Sequence, residues 1–147
     1  MKYSAEYIWL GGNNEFRSKT RTMDLQHTDL LNISLYDYWN YDGSSTNQAS
    51  GNDSEVTLKP VAVFFDPFRK DKNVLVLCET YSPSGTPLPN NTRTSAVDIF
   101  DKNKEAEPWF GIEQEFYIMK NNGEYNSNIS TKSLGQEDAT SQGQYYC

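Results

Sequence analysis

Runs of aromatic and β-branched residues, punctuated by Gly, Asn and Pro, set the pattern of the first 81 positions. Residues 5–10 form one such run and end in Gly11-Gly12-Asn13-Asn14, a cluster that closes hairpins. Residues 16–22 read as the returning strand, with Arg17, Lys19 and Arg21 at period two on one face and Ser18 and Thr20 on the other. That basic stripe is expected to be solvated or to face an interface. Residues 24–38 show no clean period and carry His27, the only histidine, which reads as a surface-loop residue. A short strand over 38–42 then enters a loop, 43–54, built almost wholly of Gly, Ser, Thr, Asn, Gln and Ala. A loop this polar is expected to be mobile or docked on a partner, and it is the best candidate for a functional loop.

Residues 55–58 and 61–65 read as two strands separated by Lys59-Pro60, and 74–81 as another, with a polar turn over 67–72. A Pro/Gly/Ser/Asn linker covers 82–90. Asn91 or Thr92 then caps a predicted helix with Ala96, Val97, Ile99 and Phe100 on one side and Lys102 and Lys104 near its negative end. Several strands and one packed helix predict a small α+β domain. A last strand is predicted over 112–119: Glu113, Glu115, Tyr117 and Met119 share one face, and Ile112, Gln114, Phe116 and Ile118 the other. Beyond Met119 almost no apolar residue occurs until Tyr145 and Tyr146, so a long loop or disordered tail is expected.

Composition narrows the function classes. With 147 residues and an apolar share of 36%, the chain can hold one ordinary domain plus polar loops. A formal net charge of -7 argues against nucleic acid and against anionic membranes as partners. No apolar run approaches the roughly 18 residues of a membrane span, and residues 1–6 have no signal-peptide core. Cys78 within an apolar strand and Cys147 at the last position make no disulfide framework, so a reduced, cytoplasmic setting is expected. Four Asn-x-Ser/Thr triplets, at Asn32, Asn52, Asn90 and Asn128, read as chance in so Asn- and Ser-rich a chain.

The sharpest chemistry is the pair Glu113 and Glu115. Two carboxylates on one strand face repel unless a cation lies between them, and Mg²⁺ or Mn²⁺ prefers such oxygens. Taken alone, the pair is either a metal shelf or a solvated strand face.

The surrounding text, Pro108-Trp109-Phe110-Gly111-Ile112-Glu113-Gln114-Glu115-Phe116, resembles the first catalytic-domain strand of eukaryotic-type glutamine synthetases. Further blocks resemble the family in the same order: Tyr7-Ile8-Trp9-Leu10, Arg17-Ser18-Lys19-Thr20-Arg21-Thr22, Asp42-Gly43-Ser44-Ser45-Thr46, Asp66-Pro67-Phe68-Arg69-Lys70-Asp71, Leu75-Val76-Leu77-Cys78-Glu79 and Gln144-Tyr145-Tyr146-Cys147. Each block is weak, and their collinearity is the signal.

The resemblance implies a β-grasp-like domain over 1–104 followed, over 105–147, by the first strand and polar loop of a truncated catalytic domain. It implies an ATP-dependent glutamate–ammonia ligase that acts through a glutamyl phosphate, with Mg²⁺ or Mn²⁺ as cofactor and glutamate, ammonium and ATP as substrates. Asp42 would be the catalytic, ammonium-binding carboxylate, with Ser45 beside it. Glu113 and Glu115 would bind metal, and Glu113 with Trp109 would lie on the nucleotide side. The Asp42 loop would serve a neighbouring subunit in a homo-oligomer. Because the resemblance covers less than half of a typical subunit, the chain alone is expected to be inactive and to self-associate. The alternative is a non-catalytic chain that binds and modulates intact synthetase subunits.

Overall fold

In the computed structural model, which describes residues 1–69 and 73–114, the Gly/Asn cluster closes the first hairpin as expected. Strand β1 (Lys2–Leu10) pairs antiparallel with β2 (Phe16–Asp24). Asn14 takes the left-handed conformation at φ 62°, which Asn tolerates better than most residues. The other strands are β3 (Trp39–Asp42), β4 (Glu55–Phe65) and β5 (Asn73–Tyr81). They form one sheet in the order β2-β1-β5-β4-β3, in which β1 and β5 run parallel and every other neighbour antiparallel. One helix, α1 (Thr92–Lys102), follows the sheet, so the α+β expectation holds. The first compact unit is Met1–Ala106.

Strand alternation places Tyr3, Ala5, Tyr7 and Trp9 on one face, beside Val74, Val76 and Cys78 of β5 and Val56 and Leu58 of β4, all buried. What covers this face differs from expectation. No residue of α1 is buried, and Ile99 and Phe100 are exposed. The cover is residues 25–38, which had shown no period. From it Leu30 and Tyr36 enter the core, and the Tyr36 hydroxyl donates to the Leu30 carbonyl at 2.6 Å. Helix α1 is held at its start instead: Asn91 Nδ2 donates to the Thr80 carbonyl at 3.1 Å, and Arg93 pairs with the buried Glu79 at 3.2 Å. Asn91 occupies the N-cap position but makes no side-chain cap bond.

Two further expectations are revised. Residues 55–65 are one strand, not two, and Pro60 sits beside a register irregularity between Pro60 and Ala62. A bulge tolerates the missing N–H, and beyond Leu58 strand β3 no longer flanks β4. The basic stripe of β2 does not simply face solvent. Lys19 and Arg21 are half-buried on the core face, paired with Tyr7 and Ala5. Lys19 Nζ lies 3.6 Å from the Trp39 ring centre and donates to the Asn40 carbonyl at 2.7 Å, and Arg21 lies 5.0 Å from the Tyr7 ring. Lys19 and Arg21, the latter 5.4 Å from the Trp39 ring centre, thus join β2 to β3 across the core face. His27 is exposed, as expected.

The β4–β5 turn is organised by Asp66, which is buried and accepts from the Phe68 and Arg69 main-chain N–H groups at 2.8 and 3.0 Å and from Arg69 Nε at 2.6 Å. Residues 70–72 of that turn lie outside the described residues. Among the described residues no helix is long and apolar enough to cross a membrane.

Candidate functional site

Asp42 ends β3 and caps a 3-10 turn, Gly43–Thr46. Its Oδ1 accepts from the Ser44 main-chain N–H at 3.0 Å and from the Ser44 hydroxyl at 2.6 Å. The Ser45 hydroxyl donates to the Asp42 main-chain carbonyl at 3.0 Å, so it bonds to backbone and not to the carboxylate. Asp42, Ser44 and Ser45 are all exposed. The Ser44 hydroxyl, then the Ser44 N–H, then Ser54 hold the Asp42 carboxyl below its ordinary range, because each favours the charged form. The result is a capped turn that presents a carboxylate anion at neutral pH. Ser44→Ala removes the largest of these contributions and is expected to raise the Asp42 pKa towards the ordinary aspartate value, read by carboxyl-carbon NMR titration. An unchanged Asp42 titration would show that Ser44 does not set the charge.

The loop that follows is docked on its own chain, where mobility or docking on a partner had been expected. The Gly43 N–H donates to the Ser54 carbonyl at 2.6 Å, which closes the loop at its neck. The Gly12 N–H of the hairpin turn donates to the Thr46 carbonyl at 3.0 Å. Close approach explains both glycines. A Cβ at Gly12 would meet the Thr46 and Asn47 carbonyl oxygens at 2.6 Å, and one at Gly43 would meet Val56 Cγ2 at 2.5 Å. Gln48 adds side-chain bonds: its Oε1 accepts from the Tyr41 hydroxyl at 2.5 Å, and its Nε2 donates to the Leu10 carbonyl at 3.0 Å. Sequence reading missed Gln48, since one glutamine in a polar loop carries no periodic or motif signal.

Trp109 and Glu113 fall in residues 107–114, where no strand or helix forms. For 112–114 this corrects the expected strand. A strand needs a neighbour to take its main-chain hydrogen bonds, and none pairs with these residues among those described. Trp109 is 96% exposed, and Glu113 is also exposed. Glu115, the rest of the predicted 112–119 strand, the polar tail and the Gln144-to-Cys147 block lie outside the described residues. No group of three or more His, Cys, Asp or Glu side chains converges among the described residues, so these alone do not compose a metal centre.

The family described as "Glutamine synthetase, beta-Grasp domain" matches residues 4–83, which takes in β1 from its third residue through the end of β5. The chain is 49% identical over 150 residues to glutamine synthetase cytosolic isozyme 1-3 of Arabidopsis thaliana, spanning 99% of this chain and 40% of the relative. It is 47% identical over 149 residues to the nodule isozyme of Lupinus angustifolius, spanning 99% and 45% respectively. It is 51% identical over 121 residues to the chloroplastic glutamine synthetase of Brassica napus, spanning 80% and 28%. The chain therefore spans less than half the length of these curated relatives.

Proposed function

The chain belongs to the glutamine synthetase family, and we propose that the protein it forms part of is an ATP-dependent glutamate–ammonia ligase to which these residues supply two separate parts of a site. One observation carries the reading: Asp42 presents an exposed carboxylate, held ionised by Ser44, at the head of a loop fastened to its own sheet. In the proposed reaction ATP transfers its γ-phosphoryl group to the glutamate side-chain carboxylate. Ammonia then attacks that carbonyl carbon, and phosphate leaves as the amide forms. Asp42 attracts ammonium by charge and accepts the proton that ammonium must lose before its nitrogen becomes a nucleophile. The Ser45 hydroxyl, having donated its own proton to the Asp42 carbonyl, keeps lone pairs that accept from an ammonium N–H.

Glu113 and Glu115 are the proposed ligands of Mg²⁺ or Mn²⁺, with Glu113 and Trp109 on the nucleotide side. The metal would neutralise charge on the phosphate oxygens. Of this pair Glu113 is the one among the described residues, and its side chain is exposed. A homo-oligomer is proposed in which the Asp42 loop and the Glu113 segment serve different active sites. The exposed Phe16, Phe64 and Phe68 support association through the first unit. The two cytosolic and chloroplastic names among the relatives support an aqueous compartment, and we place this chain in the cytoplasm.

Nitrogen-15 tracing tests the reading. Given labelled ammonium, glutamate, ATP and Mg²⁺, the gene product that contains these residues is expected to form amide-labelled glutamine with one ADP per glutamine. The 147-residue chain by itself is expected to form none. Labelled glutamine from the pure chain alone would overturn the two-half-site arrangement, and none from the gene product would overturn the ligase reading.

A further inference from the structure

Ser44 and Ser45 hold Asp42 within its own turn, and Gln48 supplies the side-chain bonds that tie the flanking residues to the rest of the sheet. Its main-chain N–H donates to the Gly43 carbonyl at 2.9 Å, and its Oε1 accepts from the Tyr41 hydroxyl. Gln48 therefore grips the residue before Asp42 and the residue after it. The other end of the amide, Nε2, reaches the Leu10 carbonyl at the end of β1, which also accepts from Asn90 Nδ2 at 3.4 Å. We propose that Gln48 is a positioning residue for Asp42, registering the ammonium-binding carboxylate against the β1–β2 turn. The proposal rests on the ligase reading above.

Three features favour a positioning role over simple loop packing. Both ends of the amide are used, and with different anchors, so the side chain has one orientation. Burial raises the Tyr41 hydroxyl to a pKa of about 12, so it remains a donor at any working pH and fixes Oε1 as its acceptor. The Tyr41 ring in turn lies 4.6 Å from that of Trp9, a buried β1 residue, so the anchor is not itself loose. A carboxylate that must meet a small cation and take its proton is sensitive to displacements of an ångström, which cost on the order of 10²-fold in favourable cases.

The experiment uses the gene product carrying these residues, with Gln48→Met, which keeps the side-chain length and removes both hydrogen-bonding ends. The ammonium KM is expected to rise about 10-fold while the KM values for glutamate and ATP stay within about twofold. Amide exchange at Gly12, whose N–H bonds the Thr46 carbonyl, is expected to quicken. Asp42→Asn is measured alongside. If Asp42→Asn alters ammonium kinetics and Gln48→Met does not, the positioning role is wrong and the ligase reading stands. If neither alters them, both fall together. Equal weakening towards all three substrates would mark Gln48 as merely structural and also overturn the proposal. Should Gln48→Met not fold, Tyr41→Phe decides, because it removes only the hydroxyl that orients the amide. A rise of about threefold in the ammonium KM supports the role, and an unchanged value overturns it.

Discussion

Asp42→Asn in the gene product carrying this sequence is expected to lower kcat/KM for ammonium by about 10²- to 10⁴-fold, the range that loss of a positioned general base produces. The substitution is chosen for what it keeps. Asparagine is as good an N-cap as aspartate, and its side-chain oxygen can still accept from the Ser44 N–H and hydroxyl, so the turn should persist. What disappears is the charge that draws ammonium and the site that takes its proton. The loss should therefore appear with ammonium as the varied substrate while the melting temperature stays near that of the parent. The depressed Asp42 pKa adds a sign to the test. A carboxylate shifted below its ordinary range stays ionised as pH falls through 5, so Asp42 contributes no titration near neutrality to the parent's pH–rate profile. A parent-like kcat/KM in Asp42→Asn would remove Asp42 from the reaction.

The order and type of the strands were legible because each is a short aromatic or β-branched run bounded by Gly, Pro, Asn or Ser. Their bounds moved where tertiary context overrode local signals. Pro60 reads as a break, yet an irregular pairing with β5 absorbs it. Ala96, Val97, Ile99 and Phe100 read as the face of a packed helix, yet the sheet was already covered by Leu30 and Tyr36 from a stretch with no period at all. A covering segment of short turns is specified by where its few apolar residues land in three dimensions, and no window of sequence displays that. At the candidate site the motif located Asp42 and the loop, but not its anchorage. Gly12 lies far from Asp42 in sequence and Gln48 carries no signal within the polar loop, and only the folded hairpin turn brings Gly12 to the Thr46 carbonyl and Leu10 to Gln48. Of the Glu-x-Glu pair, Glu113 lies where the described residues form no strand, and Glu115 lies outside them.

The largest expected loss of stability comes from Tyr7, where the sheet, its cover and its cationic closure meet. The side chain is fully buried. Its hydroxyl donates to the Asp37 carbonyl at 3.0 Å, its ring stands edge-on to Trp39 at 5.3 Å, and the Arg21 guanidinium lies 5.0 Å from the ring centre. Tyr7→Ala removes all three contacts and leaves a cavity that a β-sheet cannot collapse to fill, so a cost of about 3–5 kcal/mol is expected. Domains of this size have only about 5–15 kcal/mol in total, so the urea midpoint should fall by a large fraction. Tyr7→Phe keeps the ring and loses only the hydrogen bond, for about 1 kcal/mol. The same pair of variants separates packing from titration. Burial, opposed in part by Arg21 and aided by Cys78, Asp37 and Tyr36, raises Tyr7 from 10.0 to about 12. The unfolded chain therefore gives up this proton first as pH rises. Stability from the neutral hydroxyl is complete below pH 10 and declines between there and about 12. Tyr7→Phe should flatten that alkaline decline although Tyr41 and Tyr36, also raised by burial, retain theirs. An alkaline limb as steep in Tyr7→Phe as in the parent would mean that the Tyr7 hydroxyl is not the buried proton the fold protects.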